Sequence, residues 1–325
     1  MNIKPFKSGE KICFIGDSIT AATYWIAHIA DYYSQNTAEQ IELYPCGIGG
    51  GNCESGYRYF ADQTAPWQAN TAVIKLGMND IGRGYYGKKN DLEMQKELMN
   101  KYKDNLLKLI DTVKAANINR IILLAPTPYD EINDCEAENY VGCMDALRDC
   151  AKVMEEIADN QNLEFYDLGG QMFDLLKKGY AIGNKNPLIN GDRVHPTELG
   201  HSVMARLFLT AQGFKDLAVT AQDIAEGKAA LTLSEKAQTF FNVCRDIQNR
   251  WTADWLVADF SPDKTKEGKL KFIKEEYLLH PEKYGNYKVY GAYFVSLAQG
   301  YEDMVMAEEQ NKKALVSALT NMFKR

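Results

Sequence analysis

At 325 residues and 46% hydrophobic content, the chain exceeds what one core usually fills, so one large domain plus an extension is expected. The formal charge is −7, residues 214–325 are balanced at 16 Lys+Arg and 16 Asp+Glu, and no basic run or face suggests nucleic acid or a membrane as partner. Residues 1–10 lack the apolar core of a secretory signal and no stretch approaches the ~20 apolar residues of a membrane span, so a cytoplasmic protein is expected.

The first element in chain order is Lys11-Ile-Cys-Phe-Ile-Gly16, a short apolar run that stops at a glycine and delivers Asp17-Ser18. Such a run suits a strand covered on both faces, and it places Ser18 at the strand's carboxyl end, where open α/β sheets bind their ligands. Ala21 to Tyr33 has helical spacing, with Trp25, Ile26, Ile29 and Tyr33 on one side. Ile41 to Pro45 is a second strand, leading into Cys46-Gly-Ile-Gly-Gly-Gly-Asn-Cys53, where four glycines in five positions forbid regular structure and expose backbone N–H groups.

Thr71 to Leu76 is the third strand, ending at Gly77-Met-Asn79-Asp80, and the loop Ile81 to Gly87 follows. A helix over about 91–116 precedes the fourth strand, Arg120 to Ala125, which Pro126 and Pro128 terminate. Asn139 to Asp159 reads as a helix, Leu163 to Asp167 as a fifth strand, and Val203 to Phe208 as a helix whose first turn holds Pro196. Alternating strands and helices without hairpin signals predict a doubly wound parallel sheet of the α/β class. Beyond Gly213 no strand-plus-glycine unit recurs. Thr232-Leu-Ser-Glu235 offers a capping box to a helix through Trp251, Tyr284 to Phe294 reads as a helix packing face, and Lys312 to Lys324 is another helix.

The strand ends and loops thus supply a serine, a glycine-rich donor segment, an asparagine, and an aspartate three residues before a histidine. Acyl transfer needs these parts. A serine hydroxyl becomes nucleophilic when a base takes its proton, and neutral histidine suits that task near pH 7, so His195 is the candidate base for Ser18. Asp192 is close enough to accept from the other ring nitrogen. Ser18 N–H, an N–H of Gly49, Gly50 or Gly51, and the Asn79 side chain are candidate donors to an oxyanion. Asp17, Arg83 and Tyr86 are candidate substrate contacts. His195 and His201 lack further ligands at metal spacing, and the seven cysteines form no Cys-x-x-Cys pair, so neither a metal nor a disulfide framework is expected.

Gly16-Asp17-Ser18-Ile19, the glycine of Ile48-Gly-Gly50, Gly77-Met-Asn79-Asp80 and Asp192-Arg-Val-His195-Pro resemble, in order and spacing, the four sequence blocks of the SGNH hydrolases, also called the GDSL esterase/lipase family. The likeness covers about residues 10–212. It implies a flavodoxin-like five-stranded sheet in the order 2-1-3-4-5 for the domain of residues 1–213; residues 214–325 lie outside the shared blocks and are expected, from their helical pattern, to be an extension packed on it. It also implies Ser18 as nucleophile, His195 as general base, Asp192 as its orienting acid, and Gly50 and Asn79 as oxyanion donors, with no cofactor. No Gly-x-Ser-x-Gly elbow of the α/β-hydrolase kind is present.

The expected activity is hydrolysis of short acyl esters, acetyl above all, on a small molecule or carbohydrate. Transfer to a sugar hydroxyl, cleavage of longer acyl chains, and a silent binding protein are the alternatives. Trp251, Trp255, Leu256 and Phe260 of the extension would form the acyl channel that longer chains need, and a homodimer surface is another use for the extension.

Overall fold

The computed structural model describes residues 3–263, 265–277, 279, 280, 283 and 308–324, and of these the backbone alone for 249–260, 266, 308 and 309. The Tyr284 to Phe294 stretch lies outside the described residues.

Five strands form one parallel sheet: β1 (Lys11–Gly16), β2 (Glu42–Gly47), β3 (Thr71–Lys75), β4 (Arg120–Leu124) and β5 (Glu164–Tyr166), in the order β2-β1-β3-β4-β5. β1 lies between β2 and β3, with Gly16 opposite Gly47 on one side and opposite Lys75 on the other. All five residues of β3 are buried, as a strand covered on both faces requires.

Twelve α-helices are described, eleven of them in chain order as α1 (Ser18–Ala21), α2 (Tyr24–Asn36), α3 (Cys53–Arg58), α4 (Phe60–Gln63), α5 (Leu92–Ala115), α6 (Cys143–Gln161), α7 (Leu168–Ala181), α8 (Glu198–Ala211), α9 (Ala221–Ala225), α10 (Glu235–Phe260) and α11 (Lys266–Phe272); the last is Glu308–Phe323. The core meets on both faces of the sheet. On one face Phe14 of β1 packs edge-on against Trp25 of α2 at 5.2 Å and lies 6.5 Å from Phe208 of α8.

Several helix limits differ from the sequence reading for visible reasons. The helix expected from Ala21 starts at Tyr24, because Thr23 takes a left-handed conformation at φ 68° and separates a single turn, α1, from α2. α6 begins at Cys143 rather than Asn139. Gly142 is left-handed there, and Glu131 Oε1 accepts from the Gly142 and Met144 N–H groups, capping the helix from a neighbouring loop. Pro196 falls just outside α8, whose N-cap is Thr197. Ser234, not Thr232, caps α10: its hydroxyl accepts from Ala237 N–H and donates to Asp31 Oδ1 at 2.6 Å. α10 runs past Trp251 to Phe260. α7 has no counterpart in the sequence reading, because Gly169 and Gly170 in its first turn hide the helical period.

The order β2-β1-β3 creates the crevice that matters. The chain leaves neighbouring strand ends at Asp17-Ser18, at the glycine segment and at Gly77–Asp80, so three distant stretches converge at the carboxyl edge of the sheet.

Replacing Phe14 with alanine should cost about 3–5 kcal/mol of unfolding free energy, because it empties the site between α2 and α8. Urea unfolding checks this; a loss below about 1 kcal/mol would show that the two helices close over the gap.

Candidate active site

Ser18 opens α1, two residues beyond the end of β1, and Asp17 between them caps that turn by accepting from Ile19 N–H at 3.0 Å. The same Asp17 oxygen takes a hydrogen bond from Lys75 Nζ at 3.2 Å, and both side chains are 1% exposed. A buried ion pair survives only with good geometry, and here it ties the end of β3 to the turn that presents the serine. Ser18 itself is half-buried.

Ser18 Oγ lies 2.8 Å from His195 Nε2, and His195 Nδ1 lies 2.5 Å from Asp192 Oδ2. An ionised carboxylate only accepts, so Nδ1 carries the proton and Nε2 is left to accept from the serine hydroxyl. Burial works against the charge on Asp192. The N–H groups of His195 and Val194 and the imidazole outweigh it, and the carboxyl is held below its usual range.

A side chain absent from the sequence reading fixes the Asp192–His195 loop. Arg193 is 4% exposed and sits at φ 67°. Its guanidinium donates to the carbonyls of Asp130, Asn133, Cys135 and Ala137, while its own carbonyl accepts from Asp130 N–H at 2.9 Å. Asn190 N–H donates to His195 O at 2.8 Å and closes the loop. The only trace of this in the sequence is a charged residue between Asp192 and His195; the carbonyls it meets lie 56 to 63 residues away.

The donor groups stand close by. Gly51 N–H donates to Ile48 O at 2.8 Å, closing a tight turn with Gly50 at φ 71°, a conformation that favours glycine. That commits the Gly51 N–H, one of the three expected donors. The N–H groups of Ser18, Gly49 and Gly50 have no acceptor among the described residues. Asn79 Nδ2 donates to Gly51 O at 2.8 Å, and Asn79 Oδ1 accepts from Arg83 Nη1 at 3.1 Å.

Of the three expected substrate contacts, Asp17 and Tyr86 are buried, and Arg83 is half-buried beside Asn79. Asp17 is buried and engaged with Lys75, so it shapes the serine turn instead of facing outward. Arg83 orients the Asn79 amide and also donates to Met78 O at 2.9 Å. Tyr86 is 7% exposed in the core, and burial pushes its phenol up to about 12. His201 is buried beside Tyr24, and burial pushes its imidazole down to about 3. Trp251, Trp255, Leu256 and Phe260 lie in α10, with their side chains outside the described residues.

A five-stranded parallel sheet in this order, with a serine, an asparagine and an aspartate–histidine pair gathered at its carboxyl edge, is the architecture of the SGNH hydrolases. The model of the GDSL-like lipase/acylhydrolase family matches residues 14–203, more than half of the chain, and the protein belongs to that family; it is a carboxylic ester hydrolase. An acetylxylan esterase of Geobacillus stearothermophilus is 28% identical over 227 residues, spanning 64% of this chain and 96% of the relative. The crystal structure of a catalytic mutant of that acetylxylan esterase aligns with TM-score 0.51 at 24% identity, over 64% of this chain and 96% of its own. A gut microbial diltiazem-metabolizing enzyme aligns with TM-score 0.76 at 16% identity, over 99% of this chain and 96% of its own, so this likeness of fold reaches through the helical part as well.

Asp80, beside Asn79, accepts from Cys53 N–H at 2.9 Å, and burial, with Asp17 nearby, pushes its carboxyl up to about 6. An unfolded aspartate titrates near ~4, so the folded state holds this proton more tightly. The stability that gives is full below about pH 4 and is lost as pH rises to about 6. Asp80→Asn keeps the acceptor and removes the charge, so it should gain on wild type by on the order of 2 kcal/mol between pH 4 and pH 7. Thermal or urea unfolding across that range checks it; a constant difference would mean that Asp80 is not buried as a charge.

Proposed function

We propose that the protein hydrolyses short acyl esters, acetyl esters of carbohydrate foremost, with Ser18 as nucleophile, His195 as general base and Asp192 as the acid that orients it. The observation that carries this reading is the unbroken chain of hydrogen bonds from Asp192 through His195 to Ser18 Oγ.

As Ser18 Oγ attacks the ester carbonyl, His195 Nε2 takes its proton, and Asp192 stabilises the imidazolium that forms. The carbonyl oxygen becomes an oxyanion, met by Ser18 N–H, Gly50 N–H and the second N–H of Asn79, each worth roughly 10²–10³ in rate. His195 then gives its proton to the departing alcohol, leaving an acyl-serine. A water activated by the same histidine attacks the acyl carbon, and Ser18 recovers its proton as the acid is released. No step in this sequence calls for a metal or cofactor.

The preference for acetyl groups on sugars draws support from the related acetylxylan esterase of Geobacillus stearothermophilus. The openness of the pair is consistent with a bulky, polar alcohol partner, since the His195 and Asp192 side chains are 45% and 49% exposed. Long acyl chains would instead call for an extended apolar wall.

A chain-length series of p-nitrophenyl esters from acetyl to palmitoyl, run beside acetylated xylo-oligosaccharides, tests the proposal. kcat/KM should fall once the acyl group passes about four carbons, and Ser18→Ala should lose several orders of magnitude on every ester. A maximum at about eight carbons or more would contradict the short-acyl reading, and a Ser18→Ala variant keeping over about a tenth of turnover would contradict the nucleophile.

A further inference from the structure

β2 is an edge strand of the sheet, so one side of its backbone has no neighbouring strand among the described residues. At its carboxyl end that side is occupied by a side chain from α10. Gln248 Oε1 accepts from Gly47 N–H at 3.1 Å, and Gln248 Nε2 donates to Pro45 O at 2.8 Å. A primary amide offers the same donor and acceptor as a peptide unit, so Gln248 replaces one rung of an absent strand. The side chain is 1% exposed, and at that depth an unmade hydrogen bond leaves a buried polar group unsatisfied.

The same stretch of β2 is held from its other side by the segment that carries the serine. Ile48 N–H donates to Gly16 O at 2.9 Å, and a Cβ on Gly47 would lie 2.2 Å from Ala21 N of α1. Residues 45–48 are thus clamped between α10 and the β1–α1 junction. The very next residues are Gly49 and Gly50, whose N–H groups are uncommitted, and Gly51, whose carbonyl holds Asn79. Gln248 lies well beyond residues 14–203 that the family shares.

We propose that Gln248 is a positioning residue for ester hydrolysis: through Gly47 and Pro45 it fixes the donor turn 48–51 against Ser18, so that α10 supports the oxyanion site from outside the family-shared region. The inference rests on the esterase reading given above. Oxyanion donors act when they stand about 2.7–3.1 Å from the oxygen of the tetrahedral intermediate, so a displaced turn weakens the transition state more than the bound substrate.

The test uses the full chain with Gln248→Ala and Gln248→Glu, the second keeping an acceptor for Gly47 N–H and losing the donor to Pro45 O. For each, kcat and KM on p-nitrophenyl acetate, the inhibition constant of phenylboronic acid as a tetrahedral mimic, and the melting temperature are measured. For Gln248→Ala, kcat should fall about tenfold with KM within about twofold, and boronate inhibition should weaken by the same factor as kcat; Gln248→Glu should fall between the two. Unchanged kcat in both variants, whatever happens to the melting temperature, overturns the proposal. So does a kcat loss with undiminished boronate binding, or failure of both variants to fold, which would make Gln248 a determinant of folding instead. The two readings fail separately: a wild type no faster than Ser18→Ala sinks the esterase reading and this inference with it, whereas an active wild type matched by Gln248→Ala sinks this inference alone.

Discussion

The hydrogen-bonded ion pair between Asp17 and Lys75 stands where two parallel strands release the chain, with both side chains 1% exposed. Taking two charges out of water is costly, and further hydrogen bonds to the charged groups offset part of that cost. Asp17 finds Ile19 N–H, which makes it the cap of the turn that begins with Ser18. The pair therefore couples the end of β3 to the start of α1. The spacing of Ser18 from Asn79, four residues past Lys75, follows from that coupling.

Around this point burial keeps two further histidines uncharged. His201 and His28 are buried, and burial pushes their imidazoles down to about 3 and about 4, so both stay neutral near pH 7. Asp192 is held charged by the hydrogen bonds it accepts from the loop it belongs to. Arg193 fixes that loop through its guanidinium, which donates to backbone carbonyls and not to the side chains of Asp192 or His195. Orientation and charge are thus supplied by different residues, which lets the loop remain half-exposed without losing its shape.

Much of this was legible in the chain itself, because the informative residues are local. A buried strand ending in glycine and a polar residue shows as a short apolar run with an abrupt stop, and Ser18, Asn79, Asp192 and His195 each follow such a stop or lie in a loop. The five strands and their order followed from alternation and from the family resemblance. What stayed hidden depends on distant contacts. Nothing near Gly47 announces that Gln248, 201 residues on, will pair with it. Arg193 looks like any loop arginine until the carbonyls of 130–137 close on it. Asp17 and Tyr86 looked like groups a substrate would meet, yet burial gave both to the interior. Thr23 interrupts the expected helix with a left-handed residue that the apolar spacing did not reveal.

The claim on which the account turns is that one serine, made nucleophilic by His195, takes the acyl group. Incubating the protein with a fluorophosphonate and locating the adduct by peptide mass spectrometry measures this without any choice of substrate. The account predicts a single stoichiometric adduct, on the peptide containing Ser18, formed at a rate that falls by orders of magnitude in His195→Ala. An unlabelled protein, an adduct on another residue, or labelling of Ser18 that proceeds as fast without His195 would contradict it.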